Sequence, residues 1–155
     1  MEERLAALEH RLQRLEDELA ITRLVAAYGP LVDAGEADAV ASLWTEDGGY
    51  DVEGWRMTSR ADVRDMVRSE GHQHLITGGC AHFLGPAHVV VDGDHAVAVC
   101  ESLLVRHRDG GYSVRRAGAN RFELIRTADG WQIAHRTTRA LDGSLEARAL
   151  LVAVR

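Results

Sequence analysis

The sequence predicts an α+β domain: helices at the front packed on a curved, mostly antiparallel sheet, cone-shaped, built from the back. Three observations predict it. Apolar residues between Glu2 and Asp33 recur at helical steps of three and four. Four long strand-forming segments fill most of the chain after Gly79, separated by Asp- and Gly-rich turns. The length of 155 residues, 46% hydrophobic and 27% charged, suits one ordinary globular domain. Helices first and a long antiparallel sheet second is the α+β order.

The first helix is expected from Glu2 to about Asp33. Leu5, Leu8, Leu12, Leu15 and Leu19 form an a/d stripe. The stripe is too short for an autonomous coiled coil, so it is expected to pack on the domain or on a neighbouring subunit. Ile21, Leu24, Val25 and Tyr28 then form a wider apolar face suited to a core. Pro30 lacks an N–H and crowds the preceding turn, which predicts a kink or an early break. Gly35 is a stop signal.

A second helix is expected over Glu36–Trp44, with Ala39, Val40, Leu43 and Trp44 inward. Thr45–Gly49 reads as a turn, and Tyr50–Val52 with Trp55–Thr58 as a hairpin around Glu53-Gly54. Ser59 is a candidate N-cap for a third helix, Arg60–Ser69. His72–Gly79 reads as a polar loop. The strands are expected at Ala81–Val91, Ala96–Arg108, Tyr112–Thr127 and Trp131–Leu141. Gly85-Pro86 and Gly118 suit bulges or bends. The chain thus divides into a helical extension (1–18), the main domain (19–143) and a C-terminal tail (144–155). A curved sheet closed by helices leaves a concavity, where a small molecule can bind.

Composition excludes several classes. The 18 basic and 24 acidic residues sum to −6, which removes the electrostatic case for nucleic-acid binding. No apolar run is long enough to cross a bilayer. MEERLAALEH lacks the apolar core of a signal peptide, so the cytoplasm is the expected location. Cys80 and Cys100 are too few for a disulfide framework and are expected as two reduced, buried thiols.

The residues that draw attention are Tyr28, Asp33, His82, Arg136 and Arg139. Tyr28 and Asp33 flank the end of the first helix, and His82 opens the first long strand. Arg136 and Arg139, three apart on the last strand, would face opposite sides. Asp33 could equally end a helix, His82 sit as a satisfied core histidine, and Tyr28 belong to the core. His74 could line the mouth of a pocket. Trp44, Trp55 and Trp131 read as core or pocket wall. His72-x-His74 with His82 and His88 follows no standard metal spacing, so no metal is expected. Arg106, Arg108, Arg115, Arg116, Arg121 and Arg126 read as a solvated or subunit-facing sheet surface.

The stretches LAITRLVAAYGPLVDAGEADAVASLWTEDGGYD, AHFLGPAHVVVDGDHAVAV and NRFELIRTADGWQIAHRTTRALDG resemble the SnoaL-like branch of the nuclear-transport-factor-two-like superfamily. The Tyr-x4-Asp spacing, the His opening a long strand, and an Asp-Gly-Trp turn followed by Arg agree in order. The likeness runs from Leu19 to Gly143. Within the superfamily the chain is most similar to cofactor-free lyases of the bile-acid dehydratase, dehydrochlorinase and scytalone dehydratase type. That resemblance implies an Asp33–His82 pair for proton abstraction. It also implies Tyr28 and a last-strand arginine, Arg136 or Arg139, as further participants.

The chemistry agrees with what the resemblance implies. A 1,2-elimination or isomerisation needs a base that works near neutral pH, and an imidazole suits that. A carboxylate beside it fixes the tautomer and stabilises the imidazolium. A phenol or guanidinium steadies the developing oxygen charge. The expected catalytic set is therefore His82, Asp33, Tyr28 and Arg136, with Arg139, Trp44, Trp55 and His74 against substrate. No cofactor is expected, and the substrate would be small and mostly apolar, polyketide- or steroid-like. A homo-oligomer, dimer or trimer, is expected. The alternatives are a non-catalytic binding module of the same fold and, more weakly, the small accessory subunit of a ring-hydroxylating oxygenase.

Overall fold

The computed structural model describes residues 1–152. Helix α1 (Glu2–Asp33) is continuous over 32 residues. Its core face is Ile21, Val25, Tyr28 and Val32, all buried at steps of four, three and four. The break expected at Pro30 does not occur. Pro30 lies in the last turn, exposed to solvent, so its ring meets no packed neighbour and only one helical hydrogen bond is lost. Its carbonyl still accepts from the Ala34 N–H at 3.0 Å.

Helix α2 (Ala37–Ala41) is shorter than expected, because Trp44 starts strand β1 (Trp44–Val52) instead. The fully buried Trp44 indole donates to the Gly49 carbonyl at 3.0 Å. The expected turn at Thr45–Gly49 is therefore the irregular first half of a strand, where register slips between Trp44 and Gly49. Strand β2 (Trp55–Met57) completes the expected hairpin. Glu53 and Gly54 both take positive φ (52° and 84°), as a tight two-residue hairpin turn requires. Ser59 caps α3 (Arg60–Arg68), accepting from the Asp62 N–H. The loop expected at His72–Gly79 is instead helix α4 (Glu70–Thr77). Ser69 starts it by accepting from the His72 N–H, a cap that offsets the weak propensity of Gly71.

The first expected long strand is two, β3 (Cys80–Leu84) and β4 (His88–Asp92), parted at Gly85-Pro86. Both pair with β5 (His95–Arg108), which continues into β6 (Gly111–Thr127) and β7 (Gly130–Ala140). Sheet order is β2-β1-β7-β6-β5-β3, with β4 also on β5. Every pairing is antiparallel except β1 with β7. The register slips fall at Leu104/Val105 and Glu123/Leu124, so Gly118 is not a bulge. It serves close packing: a Cβ there would stand 3.0 Å from the Ser102 hydroxyl. Helix α5 (Leu145–Leu151), capped by Ser144, lies in the expected tail. The rest of the tail includes residues 153–155, which lie outside the described residues.

One buried charge ties helix to sheet. Asp17 accepts from both terminal nitrogens of Arg126 (2.7 and 2.8 Å) and from the Trp131 indole (3.0 Å). Those bonds hold its carboxyl down at about 2 against the upward pull of burial. Between helices and sheet runs a core of Ile21, Val25, Trp44, Phe122, Leu124 and Ile133, all essentially inaccessible.

Candidate active site

The site begins where α1 crosses β3. Gly29 lies against that strand so closely that a Cβ would meet the His82 carbonyl oxygen. The missing side chain lets the helix end settle onto the strand, and Asp33, one turn on, reaches His82 twice. Its Oδ2 accepts from the His82 backbone N–H at 2.7 Å, and its Oδ1 pairs with Nδ1 of the ring at 2.6 Å. The Cys80 thiol adds a longer bond to Oδ1 at 3.5 Å. Burial pushes the Asp33 carboxyl up, but these donors outweigh it and hold it below the ordinary range. An ionised carboxylate on Nδ1 calls for the Nδ1–H tautomer, which leaves Nε2 as the basic atom.

His82 lines a cavity of about 180 Å³ enclosed by α1, α3, α4, the β1–β2 hairpin and the sheet. Most of its wall is apolar, including Met57, Met66, Leu84, Leu103 and Leu104. Trp55, more than half exposed, stands at its rim. Tyr28 meets His82 edge-on at 6.4 Å between ring centres, and burial pushes its phenol far up, so it stays a donor.

Arg136 is one of two arginines in the wall, with Arg116. It is 2% exposed and boxed by aromatic rings: its guanidinium lies 4.2 Å from the Tyr28 ring, 4.5 Å from Tyr50 and 4.9 Å from Phe122. Nη2 donates to Asn120 Oδ1 at 2.8 Å, which also accepts from Thr138 at 2.7 Å. Asn120 in turn donates to Ser102 at 2.8 Å, so the amide is held from both ends. Among the described residues, Nε and Nη1 of Arg136 have no hydrogen-bond partner, and no carboxylate pairs with the side chain. A buried cation with two free donors is costly unless an electron-rich oxygen meets it.

The other expected site residues sit differently. Arg139 faces away from the cavity, bidentate on Asp51 (3.0 and 3.1 Å) and bonded to Glu146 at 2.6 Å, so it clamps β7 to β1 and α5. Trp44 lies beneath the site, packed edge-on to Tyr28, and does not line the cavity. His74 is exposed on α4 and does not line it either. Its neighbour His72 does, because α4 turns that residue inward. His72 Nε2–H donates to the Val32 carbonyl at 2.9 Å, and its ring lies 6.0 Å from that of His82. No local motif marks Tyr50, Asn120 or Thr138, and His72 stands out in the sequence only within His72-x-His74. The N-cap at Ser69 is the one signal that places His72 on a helix. Of the basic sector, Arg116 lines the cavity and pairs with Glu53 at 2.8 Å, and Arg126 anchors Asp17.

Among the described residues, one cluster brings three metal-capable donors within 4.8 Å: Asp33, Cys80 and His82. In it the carboxylate serves the imidazole and the thiol. Burial and Asp33 push the Cys80 thiol up to about 11. His74 and His88 are exposed and apart from it.

A helix-closed cone of curved sheet with a pocket between the layers is the NTF2-like, cystatin-like fold. An NTF2-like protein from Novosphingobium aromaticivorans shares it at a TM-score of 0.93 and 45% identity, over 95% of this chain and 96% of that one. The chain belongs to the SnoaL-like domain family, whose model matches residues 13–137. A second Novosphingobium aromaticivorans protein, assigned provisionally to the aromatic ring hydroxylases, is similar at a TM-score of 0.68 and 28% identity, over 82% and 90% of the two chains. A Mycobacterium tuberculosis protein of unknown function shares the fold at 0.75 and 22% identity, over 92% and 87%. A search of functionally curated proteins finds no match. No described helix is long and apolar enough to cross a membrane.

Proposed function

We propose that this protein is a cofactor-independent lyase, a dehydratase or an isomerase, of the bile-acid dehydratase and scytalone dehydratase type. Its substrate is small and mostly apolar, and it works as a homo-oligomer. The observation that carries this reading is that His82, with Asp33 on its Nδ1, and the buried cation Arg136 line the same largely apolar cavity. His82 Nε2 takes a proton from a substrate carbon. The C–H electron pair becomes the new double bond as a hydroxyl leaves the adjacent carbon. The imidazolium returns the proton to the departing oxygen, which leaves as water. In an isomerisation the same proton returns to a different carbon. Asp33 orients the ring and stabilises its charged form, while Arg136 and the Tyr28 phenol hold the oxygen on which charge develops. The largely apolar wall suits a polyketide- or steroid-like skeleton.

The test is turnover of hydroxylated polycyclic compounds by the wild type and by His82→Ala. Dehydration or double-bond migration by the wild type, lost in the variant with the fold intact, supports the reading. Equal activity in both would sink it. The likeness to the provisionally assigned ring hydroxylase favours a second reading, an oxygenase accessory subunit. Purification as a stable homo-oligomer without a large partner chain counts against that one.

A further inference from the structure

Residues 1–16 of α1 are all exposed, yet they carry the five-leucine stripe. Leu5, Leu8, Leu12, Leu15 and Leu19 are each 50–59% exposed, on one side of the helix. The opposite side faces the domain. His10, Gln13, Arg14 and Asp17 line a cleft with the β4–β5 turn and Arg126. Contact with its own domain therefore leaves the leucine seam uncovered, and a projecting helix of this length is marginal in water alone.

The charges beside the seam identify what covers it. With Leu5, Leu12 and Leu19 at a and Leu8 and Leu15 at d, the g positions are Arg4, Arg11 and Glu18. The e positions that follow are Glu9, Glu16 and Arg23. In a parallel pair of identical helices each g residue faces the partner's e residue five places on. That sets Arg4 against Glu9, Arg11 against Glu16, and Glu18 against Arg23 of the second copy: three opposite-charge pairs. Antiparallel pairing sets g against g and e against e. In either central register an attractive contact (Arg4 with Glu18, or Arg11 with Glu18) is then offset by like charges (Arg11 and Glu9 each against itself, or Glu9 against Glu16). Glu18 also lies 3.7 Å from Arg14 of its own helix, an exposed contact that leaves it free to turn to the seam.

We propose that a second copy of this chain covers the leucine seam, and that the two α1 helices pair in parallel with their domains on the outside. This interface is separate from the catalytic cavity and independent of the reaction assigned to it.

Light scattering of the full chain at micromolar concentration tests it, with circular dichroism confirming that each variant keeps its sheet. Leu8→Glu with Leu15→Glu is expected to halve the wild-type mass. A set reversing g (Arg4→Glu, Arg11→Glu, Glu18→Arg) and a set reversing e (Glu9→Arg, Glu16→Arg, Arg23→Glu) should each halve it too. Mixing the two sets should restore it, because every g–e contact is then again of opposite sign. A monomeric wild type, or an unchanged mass in the leucine variant, overturns the interface. Failure of the mixed sets to reassociate overturns its parallel orientation.

Discussion

Gly29 stands so close to His82 that a Cβ on the helix would lie 2.2 Å from the strand's carbonyl oxygen. This contact sets the distance between the end of α1 and β3, and hence the reach of Asp33 to the imidazole. Gly29→Ala tests it. Alanine gains about 1 kcal/mol of helix propensity, but the obstacle is backbone and cannot rotate aside, and overpacking costs about 1–3 kcal/mol. A net loss of stability is expected, seen as a lower Tm, together with loss of turnover. An unchanged Tm would show that the helix end moves freely.

Asp33→Asn keeps the size of the side chain and removes its charge. The amide cannot stabilise an imidazolium, so kcat should fall by about 10²–10⁴ while the fold survives. The same substitution has a second readout. The Cys80 thiol is held up at about 11 by burial and by Asp33, so alkylation near neutral pH should be about 100-fold slower than for a free thiol. Removing the charge should speed alkylation of Cys80 but not of the buried Cys100, whose raised value owes nothing to Asp33. Mass spectrometry of the alkylated peptides separates the two.

Arg136→Met should separate stability from function. The cation is buried among three rings with one neutral hydrogen-bond acceptor. An apolar side chain of similar length removes a desolvated charge, and Asn120 Oδ1 keeps its bond from Thr138. Stability should hold or rise, by about 1–2 kcal/mol. Turnover should drop by about 10²–10³ with the loss of the cation that steadies developing oxygen charge in the proposed reaction. A variant both less stable and fully active would refute this role.

Part of the acid limb of stability should trace to Asp17. Its folded value, about 2, is depressed, so its contribution is present above the unfolded value near ~4 and is lost as pH falls toward 2. Asp17→Asn should cost about 1–2 kcal/mol at neutral pH, and the gap to wild type should close over that window. Trp131 fluorescence reports it directly, because the indole donates to this carboxylate.

What the chain settles alone is whatever repeats along it. The steps of Ile21, Val25, Tyr28 and Val32 are enough to write α1, and Asp-Gly turns are enough to divide β5, β6 and β7, because both depend on neighbours in sequence. Tyr28, Asp33 and His82 stand out through the order they share with the SnoaL-like family, and Arg136 only as one of two candidates beside Arg139. The departures have separate causes. Pro30 stays helical because it lies exposed in the last turn, where only one helical hydrogen bond is lost. Trp44 leaves its helix for the sheet, and the Ser69 cap starts a helix where His72–Gly79 reads as a loop. Facing was invisible too. Period-two alternation sends Arg136 and Arg139 to opposite sides but does not say which meets the cavity; Asn120 and Asp51, on other strands, decide that. The Asp33–His82 contact belongs wholly to tertiary structure, since the two residues are 49 apart and meet only because Gly29 lets helix and strand touch.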